Sequence, residues 1–129
     1  MFKLFKQKQV PEGEKLFGMT LHVGRGANPE MPCNVAGAYV PVFVGASNHE
    51  AAAFKAVSAV RSRGFDFLDI ADRQIYEIDP QSWDVFVTDA WPEFVSEFPA
   101  QAAVIDALRA DFIFVGPFAS YETKAAEDL

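Results

Sequence analysis

Cysteine is almost absent from the sequence, because Cys33 is the only one among 129 residues. A single thiol excludes an intramolecular disulfide and a zinc site built from several thiolates. A nucleophilic cysteine needs a base within reach, and no local signature frames Cys33. We therefore interpret Cys33 as a structural residue, and the lack of paired cysteines fits a reducing cytosol.

Basic residues are also few in comparison with acidic residues. The chain has 11 Lys and Arg against 18 Asp and Glu, which gives a formal net charge of −7. Binding to nucleic acids depends on Lys and Arg that neutralise phosphates. We therefore expect no nucleic-acid partner.

Long apolar runs and targeting signals are also missing. No run approaches the ~20 apolar residues of a membrane span, so we expect no membrane-spanning segment. The N-terminal sequence MFKLFKQKQ is interrupted by Lys3 and Lys6 and lacks the apolar region of a secretory signal. These absences, with the small size, lead us to expect a bacterial, cytoplasmic protein.

Apolar and aromatic residues are plentiful. Half of the chain is hydrophobic, with 13 Phe, 3 Tyr and 2 Trp, which is enough for one folded domain. We predict a flexible basic tail at 1–15, a single α+β domain at 16–120 and a polar C-terminal tail at 121–129. The charge is uneven, since the part of the chain after Phe65 holds fourteen acidic residues against Arg73, Arg109 and Lys124. This excess of acid predicts an acidic surface.

The first half of the domain contains two predicted strands and a helix. Alternation of apolar residues predicts a strand at 16–23, and an apolar run predicts another at 38–45. Between them lies a long irregular segment at 24–37. Ser47 and Glu50 have the spacing of a capping box, and Gly64 suits a helix end, so we predict a helix over 48–63.

The second half continues the alternation of strands and helices. Residues 65–78 predict a hairpin of two short strands, and 112–115 predict a further apolar strand. Asp79 and Pro80 mark the start of a helix that ends before Pro92, and another helix is predicted at about 100–110. The first of these helices carries an apolar stripe that we assign to the core, made of Trp83, Phe86, Val87, Ala90 and Trp91.

This order of elements predicts an α+β, two-layer sandwich, with helices on one face of a mostly antiparallel sheet. After an extra N-terminal strand it follows the ferredoxin-like β-α-β-β-α-β order. That order places the strands at 38–45 and 74–78 in the centre and 112–116 at an edge. Pro41 fits a central strand poorly because it lacks a backbone N–H. Pairing of 17–23 beside 112–116, or sheets joined between two subunits, would relieve this.

Few residues carry recognisable chemistry. His22 and His49 have no local metal-ligating partner, so we expect no metal and no cofactor, and we assign no catalytic residue. Several pairs of carboxylates, including Asp66/Asp69, are interpreted as solvated surface. Arg25 lies between two glycines after a strand, where it could contact an anion or a partner.

Two functions of different kinds remain. The first is a non-enzymatic interaction module, such as an inhibitor, immunity protein or adaptor, that binds a basic surface on another protein. Its predicted interaction residues are Asp84, Asp89, Glu93, Glu97 and Arg25. The alternative is a small-molecule sensor or cofactorless enzyme with a pocket between sheet and helices, in which His22 or Tyr39 would supply polar chemistry. A homodimer stays open for either function.

Overall fold

The computed structural model describes residues 14–28 and 35–122, which fold as an α+β domain around one sheet. The strands are β1 (Lys15–Gly24), β2 (Val35–Ala46), β3 (Asp66–Ile70), β4 (Tyr76–Ile78), β5 (Ile113–Val115) and β6 (Ala119–Glu122). The α-helices are α1 (His49–Ser62), α2 (Trp83–Ala90) and α3 (Gln101–Ala107). Short 3-10 turns occupy Ala71–Arg73, Pro80–Ser82 and Pro92–Glu97. The α+β class predicted from the sequence is therefore confirmed.

The two long strands β1 and β2 form the centre of the sheet. They pair in antiparallel register from Lys15↔Ala46 to Gly24↔Gly37. Strands β3 and β4 both pair with β1, at opposite ends of it, so together they form one edge. Strands β5 and β6 share the outer side of β2 in the same way and form the other edge.

The ferredoxin-like strand order is not confirmed. That order places β4 in the centre beside β2, but β1 occupies this position and β4 lies at an edge. The predicted hairpin at 65–78 is also wrong. Strands β3 and β4 do not pair with each other, because both pair with β1, one after the other along its length. The edge position predicted for 112–116 is confirmed, with β2 as its neighbour, whereas the alternative pairing of 17–23 beside 112–116 is wrong.

Helix α1 covers the first face of the sheet. Alternate residues of β1, from Phe17 to Val23, and of β2, from Ala38 to Val44, point to this face and are buried. The helix contributes Ala52, Ala56 and Val60 to the same cluster. Asn48 caps the helix by accepting a hydrogen bond from Ala51, so the predicted cap at Ser47 is displaced by one residue.

Helices α2 and α3 pack on the second face, which corrects the expectation that all helices lie on one face. The ring of Phe43 points away from α1 and meets Trp83, Phe86 and Trp91 edge-on, at centroid distances of 5.2 to 5.8 Å. Leu16 joins this cluster from β1. The predicted core stripe is thus confirmed on the face opposite α1, except at Ala90, which is exposed.

Pro41 lies in a central strand and is accommodated by a gap in the neighbouring edge. Its carbonyl accepts a hydrogen bond from Gly116, between the end of β5 and the start of β6. In an antiparallel strand the N and C=O of one residue point to the same side. The missing N–H of Pro41 therefore faces the interruption between two edge strands, where no ladder partner is lost.

Several end points differ from the predicted ones. Strand β2 begins at Val35, so it takes up part of the segment predicted to be irregular, and β6 includes Tyr121, which we assigned to the tail. Most of both predicted tails and Cys33 lie outside the described residues. Within the described ranges, no helix has the length and apolarity needed to cross a membrane.

Candidate functional site

The four predicted acidic residues all lie exposed on α2 and the following 3-10 turn. Asp84 and Asp89 belong to α2, whereas Glu93 and Glu97 belong to the turn Pro92–Glu97. The turn packs against α2. The sequence from Gln74 to Leu108 contains seven acidic residues and no Lys or Arg. No basic residue within this stretch therefore neutralises the charge of these carboxylates.

Apolar side chains are exposed among these carboxylates. Val85 is 64 % exposed, and Phe94 and Val95 are 36 % and 42 % exposed. We call the exposed residues of α2 and the turn the acidic surface: Asp84, Val85, Asp89, Glu93, Phe94, Val95 and Glu97. A surface with apolar side chains inside a polar rim is typical of protein-binding sites.

Two shallow grooves run along this surface. One, of about 310 Å³, lies between α2 and Val95 and continues to Pro99. The other, of about 220 Å³, is lined by Val85, Thr88 and Asp89. Asp84 borders both grooves. They provide concave positions for side chains of a partner.

Asp84 also has a structural role that the sequence did not reveal. Its carboxylate accepts a hydrogen bond from the backbone N–H of Gln101 at 3.1 Å. In return, the Gln101 side-chain oxygen accepts from the Asp84 N–H at 3.0 Å. This reciprocal pair ties the N-terminus of α2 to that of α3, so Asp84 borders the acidic surface and stabilises the segment that carries it.

Arg25 does not join the acidic surface. It follows β1 at the end near Gly24, whereas α2 and α3 pack near Leu16 at the other end. The eight residues between these positions span about 26 Å at ~3.3 Å per residue. Contact of Arg25 with an anion or a partner remains a prediction about a separate part of the molecule.

The second face of the sheet has an exposed half, near Gly24 and Gly37, where a second candidate site lies. The His22 ring stacks on Tyr39 at 4.5 Å, with 12° between their planes. His22 Nε2 lies 2.6 Å from the hydroxyl of Tyr121, and Nδ1 lies 3.7 Å from a carboxylate oxygen of Asp69. We call these residues the polar cluster: His22, Tyr39, Asp69 and Tyr121.

Sequence reasoning found half of the polar cluster. It named His22 and Tyr39, and the structure brings these two together. It counted Asp69 as solvated surface and placed Tyr121 in the tail. No local pattern could have linked them, since Tyr121 lies 99 residues from His22 and the contact depends on how three strands pair.

The two histidines do not meet. His49 contacts the edge of the Phe17 ring beside α1, on the face opposite His22. Among residues 14–28 and 35–122, no group of three His, Cys, Asp or Glu side chains is placed to hold a metal ion.

One titratable group near the aromatic cluster is perturbed. Burial raises the pKa of the Tyr76 hydroxyl above its ordinary value of 10.0. Tyr76 lies on β4 and packs beside Phe86, at a centroid distance of 6.3 Å. Its role is therefore in packing, and its ionisation bears on stability at high pH.

Comparison with known proteins adds no relative to this description: no family model matches the chain, and neither a curated protein nor a solved structure shows significant similarity to it.

Proposed function

We propose that the protein is an interaction module, an inhibitor, immunity protein or adaptor, whose acidic surface binds a basic surface on another protein without catalysing a reaction there. The observation that carries the proposal is the exposure of Val85, Phe94 and Val95 beside carboxylates, in a stretch with no basic residue. We expect this protein to act in a bacterial cytoplasm, with no nucleic-acid partner and no membrane-spanning segment.

The apolar and acidic residues would contribute to binding in different ways. Removing Val85, Phe94 and Val95 from water contributes affinity at roughly 25 cal/mol per Å² of apolar area. The carboxylates steer a basic partner and repel acidic ones. Because exposed charges are screened by salt beyond about 8–10 Å, the association rate should fall as salt is added.

The test is capture of partners on the immobilised protein at low salt, with two charge-reversal variants. The first variant, Asp89→Lys/Glu93→Lys, changes the acidic surface. The control, Glu50→Lys/Asp72→Lys, makes the same change of net charge at exposed positions elsewhere. We expect the wild type and the control to retain the same basic protein, and the first variant to lose it.

Two outcomes would contradict the proposal. One is a captured protein that both variants retain equally, since the acidic surface would then play no part. The other is capture that is unchanged as salt is raised, because a charge-steered complex weakens under those conditions.

A second candidate function is favoured by one observation. The sequence allowed a small-molecule site in which His22 or Tyr39 supplies polar chemistry, and these rings do lie together. They lie on the exposed half of the sheet and not between the sheet and α2, where Phe43 packs against other rings. If the protein binds or converts a small molecule, we expect the polar cluster to be the site.

A further inference from the structure

A row of three side chains crosses the exposed half of the sheet from edge to edge. Tyr121 stands on β6, His22 on β1 and Asp69 on β3. The Tyr121 hydroxyl lies 2.6 Å from Nε2, and the Asp69 carboxylate lies 3.7 Å from Nδ1. A hydroxyl within hydrogen-bond distance of a base, with the base oriented by a third group, is the arrangement of an activated nucleophile.

The Asp69 carboxylate, 3.7 Å from Nδ1, influences which nitrogen of His22 holds the proton. A negative charge near Nδ1 favours the tautomer protonated there, which leaves Nε2 as an acceptor. The Tyr121 hydroxyl then donates its hydrogen bond to Nε2. The lone pairs of the phenolic oxygen remain available to an incoming electrophile.

Two irregularities of the sheet build this row. The register of β1 with β3 shifts between His22 and Val23, so that Asp69 lies opposite His22. Leu68 is the extra residue of this bulge. In a regular antiparallel pair, the pairing of Val23 with Phe67 would make Leu68, and not Asp69, the partner of His22.

Gly37 provides the second irregularity. Tyr121 pairs with Gly37 next to a register shift in β2. A Cβ on Gly37 would lie 2.5 Å from the Tyr121 hydroxyl oxygen and 2.8 Å from the Val23 carbonyl oxygen. Only a glycine leaves room for the Tyr121 side chain to cross β2 and reach His22.

From this geometry we propose that Tyr121 is a nucleophile for acyl transfer from flat aryl esters, activated by His22 and positioned through Asp69. The proposal is independent of the acidic surface. Tyr39 adds a stacking ring next to the nucleophile, at 6.0 Å from the Tyr121 ring. A planar leaving group is therefore the substrate feature that this site fits.

The proposed step conserves atoms and charge. The Tyr121 oxygen attacks the carbonyl carbon, a new O–C bond forms, and the bond from that carbon to the aryl oxygen breaks. The phenolic proton passes to Nε2 of His22, and the adjacent carboxylate stabilises the imidazolium. That proton then goes to the departing aryl oxide, which leaves an acyl ester on Tyr121.

The probe is 4-nitrophenyl acetate, with peptide mass spectrometry to locate each acetyl group and absorbance to follow nitrophenol release. Tyr39 is the internal control, because it is the more exposed of the two tyrosines. We expect Tyr121 to be acetylated about a hundredfold faster than Tyr39, at the lower end of the usual contribution of a general base. Equal acetylation of the two tyrosines, or acetylation of lysines alone, would overturn the proposal.

The His22→Phe variant separates activation from packing. Phenylalanine can stack on Tyr39 but cannot accept a proton, so acetylation of Tyr121 should fall to the rate of Tyr39. Asp69→Asn changes a side chain that is 69 % exposed, so we expect it to fold and to slow the reaction severalfold. Asp66→Asn, on the same strand, is the matched control and should leave the rate unchanged.

A pH profile shows whether an imidazole takes the proton. A general base acts only while it is unprotonated, so a rate that depends on such a base changes with pH. The charged or titratable groups that face His22 are Asp69 on β3, Tyr39 on β2 and Tyr121 on β6. We expect a pH dependence of Tyr121 acetylation that differs from that of Tyr39 and that His22→Phe abolishes; a profile that this variant leaves unchanged refutes the activation.

Discussion

Replacing Phe43 with alanine tests whether α2 and α3 are held on the second face of the sheet. Phe43 is fully buried, and three aromatic rings meet it edge-on within 5.8 Å. A buried Phe→Ala change costs about 3–5 kcal/mol. Because each aromatic pair is worth about 0.5–1.5 kcal/mol beyond its buried area, we expect a loss near 4–5 kcal/mol.

The assay is urea unfolding followed by tryptophan fluorescence and by far-UV circular dichroism. Trp83 and Trp91 both touch Phe43, so fluorescence reports on this packing. The matched control is Phe54→Ala on α1, where the side chain is 74 % exposed. Its free energy of unfolding should stay within about 0.5 kcal/mol of the wild type.

Such a loss would be a large share of the total, because single domains are stable by only about 5–15 kcal/mol. The contrary result is a loss of less than about 1.5 kcal/mol for Phe43→Ala, or a loss no greater than that for Phe54→Ala. Either result would mean that the aromatic cluster on the second face is not packed as described.

Three further changes have defined outcomes. Asp84→Ala and Gln101→Ala should each lower the free energy of unfolding by about 1 kcal/mol. The double variant should lose little more than either single variant, because each change breaks the same reciprocal pair of hydrogen bonds. Additive losses in urea unfolding would count against that pair. Gly18→Ala should cost about 1–3 kcal/mol by the same assay, because its Cβ would lie 2.8 Å from the Tyr76 ring and 3.0 Å from Phe43; an unchanged stability would show that these rings move freely. Burial raises the pKa of Tyr76 in the folded protein. The stability that its neutral hydroxyl contributes is therefore present below about pH 10 and is lost as pH rises through the pKa of the folded state. Thermal unfolding should show less loss at high pH for Tyr76→Phe than for the wild type, and identical slopes would contradict this assignment.

The elements that depend on local pattern could be predicted from the sequence. Strand β1 was found from the alternation of apolar residues, since the spacing of side chains along a strand is a property of the backbone itself. The bounds predicted for helix α1 differ from the observed ones by one residue at each end. Its end is set locally, because Gly64 adopts a φ of +89°, which favours glycine.

The order of the strands could not be predicted in this way. It depends on which surfaces pack together, and the same elements allow β1 or β4 beside β2. The burial of Phe43 by α2 and α3 places these helices on the second face. No spacing within the sequence of α2 specifies which face of the sheet its aromatic stripe will meet.

The two candidate sites also differ in how far local sequence pattern predicts them. The acidic surface follows from composition along one short stretch, so its residues could be named in advance, although the hydrogen bonds of Asp84 to Gln101 could not. The polar cluster joins residues from four strands. It depends on a bulge and on Gly37, features that are visible only once the register is known.

Hydrogen exchange of the protein with and without its captured partner shows which surface the partner covers. If the acidic surface is the binding site, the partner should slow exchange of backbone amides within residues 84–97. Amides of α1, on the opposite face, should then exchange as in the free protein. Protection of α1 or of the exposed half of the sheet, with 84–97 unchanged, would contradict the account.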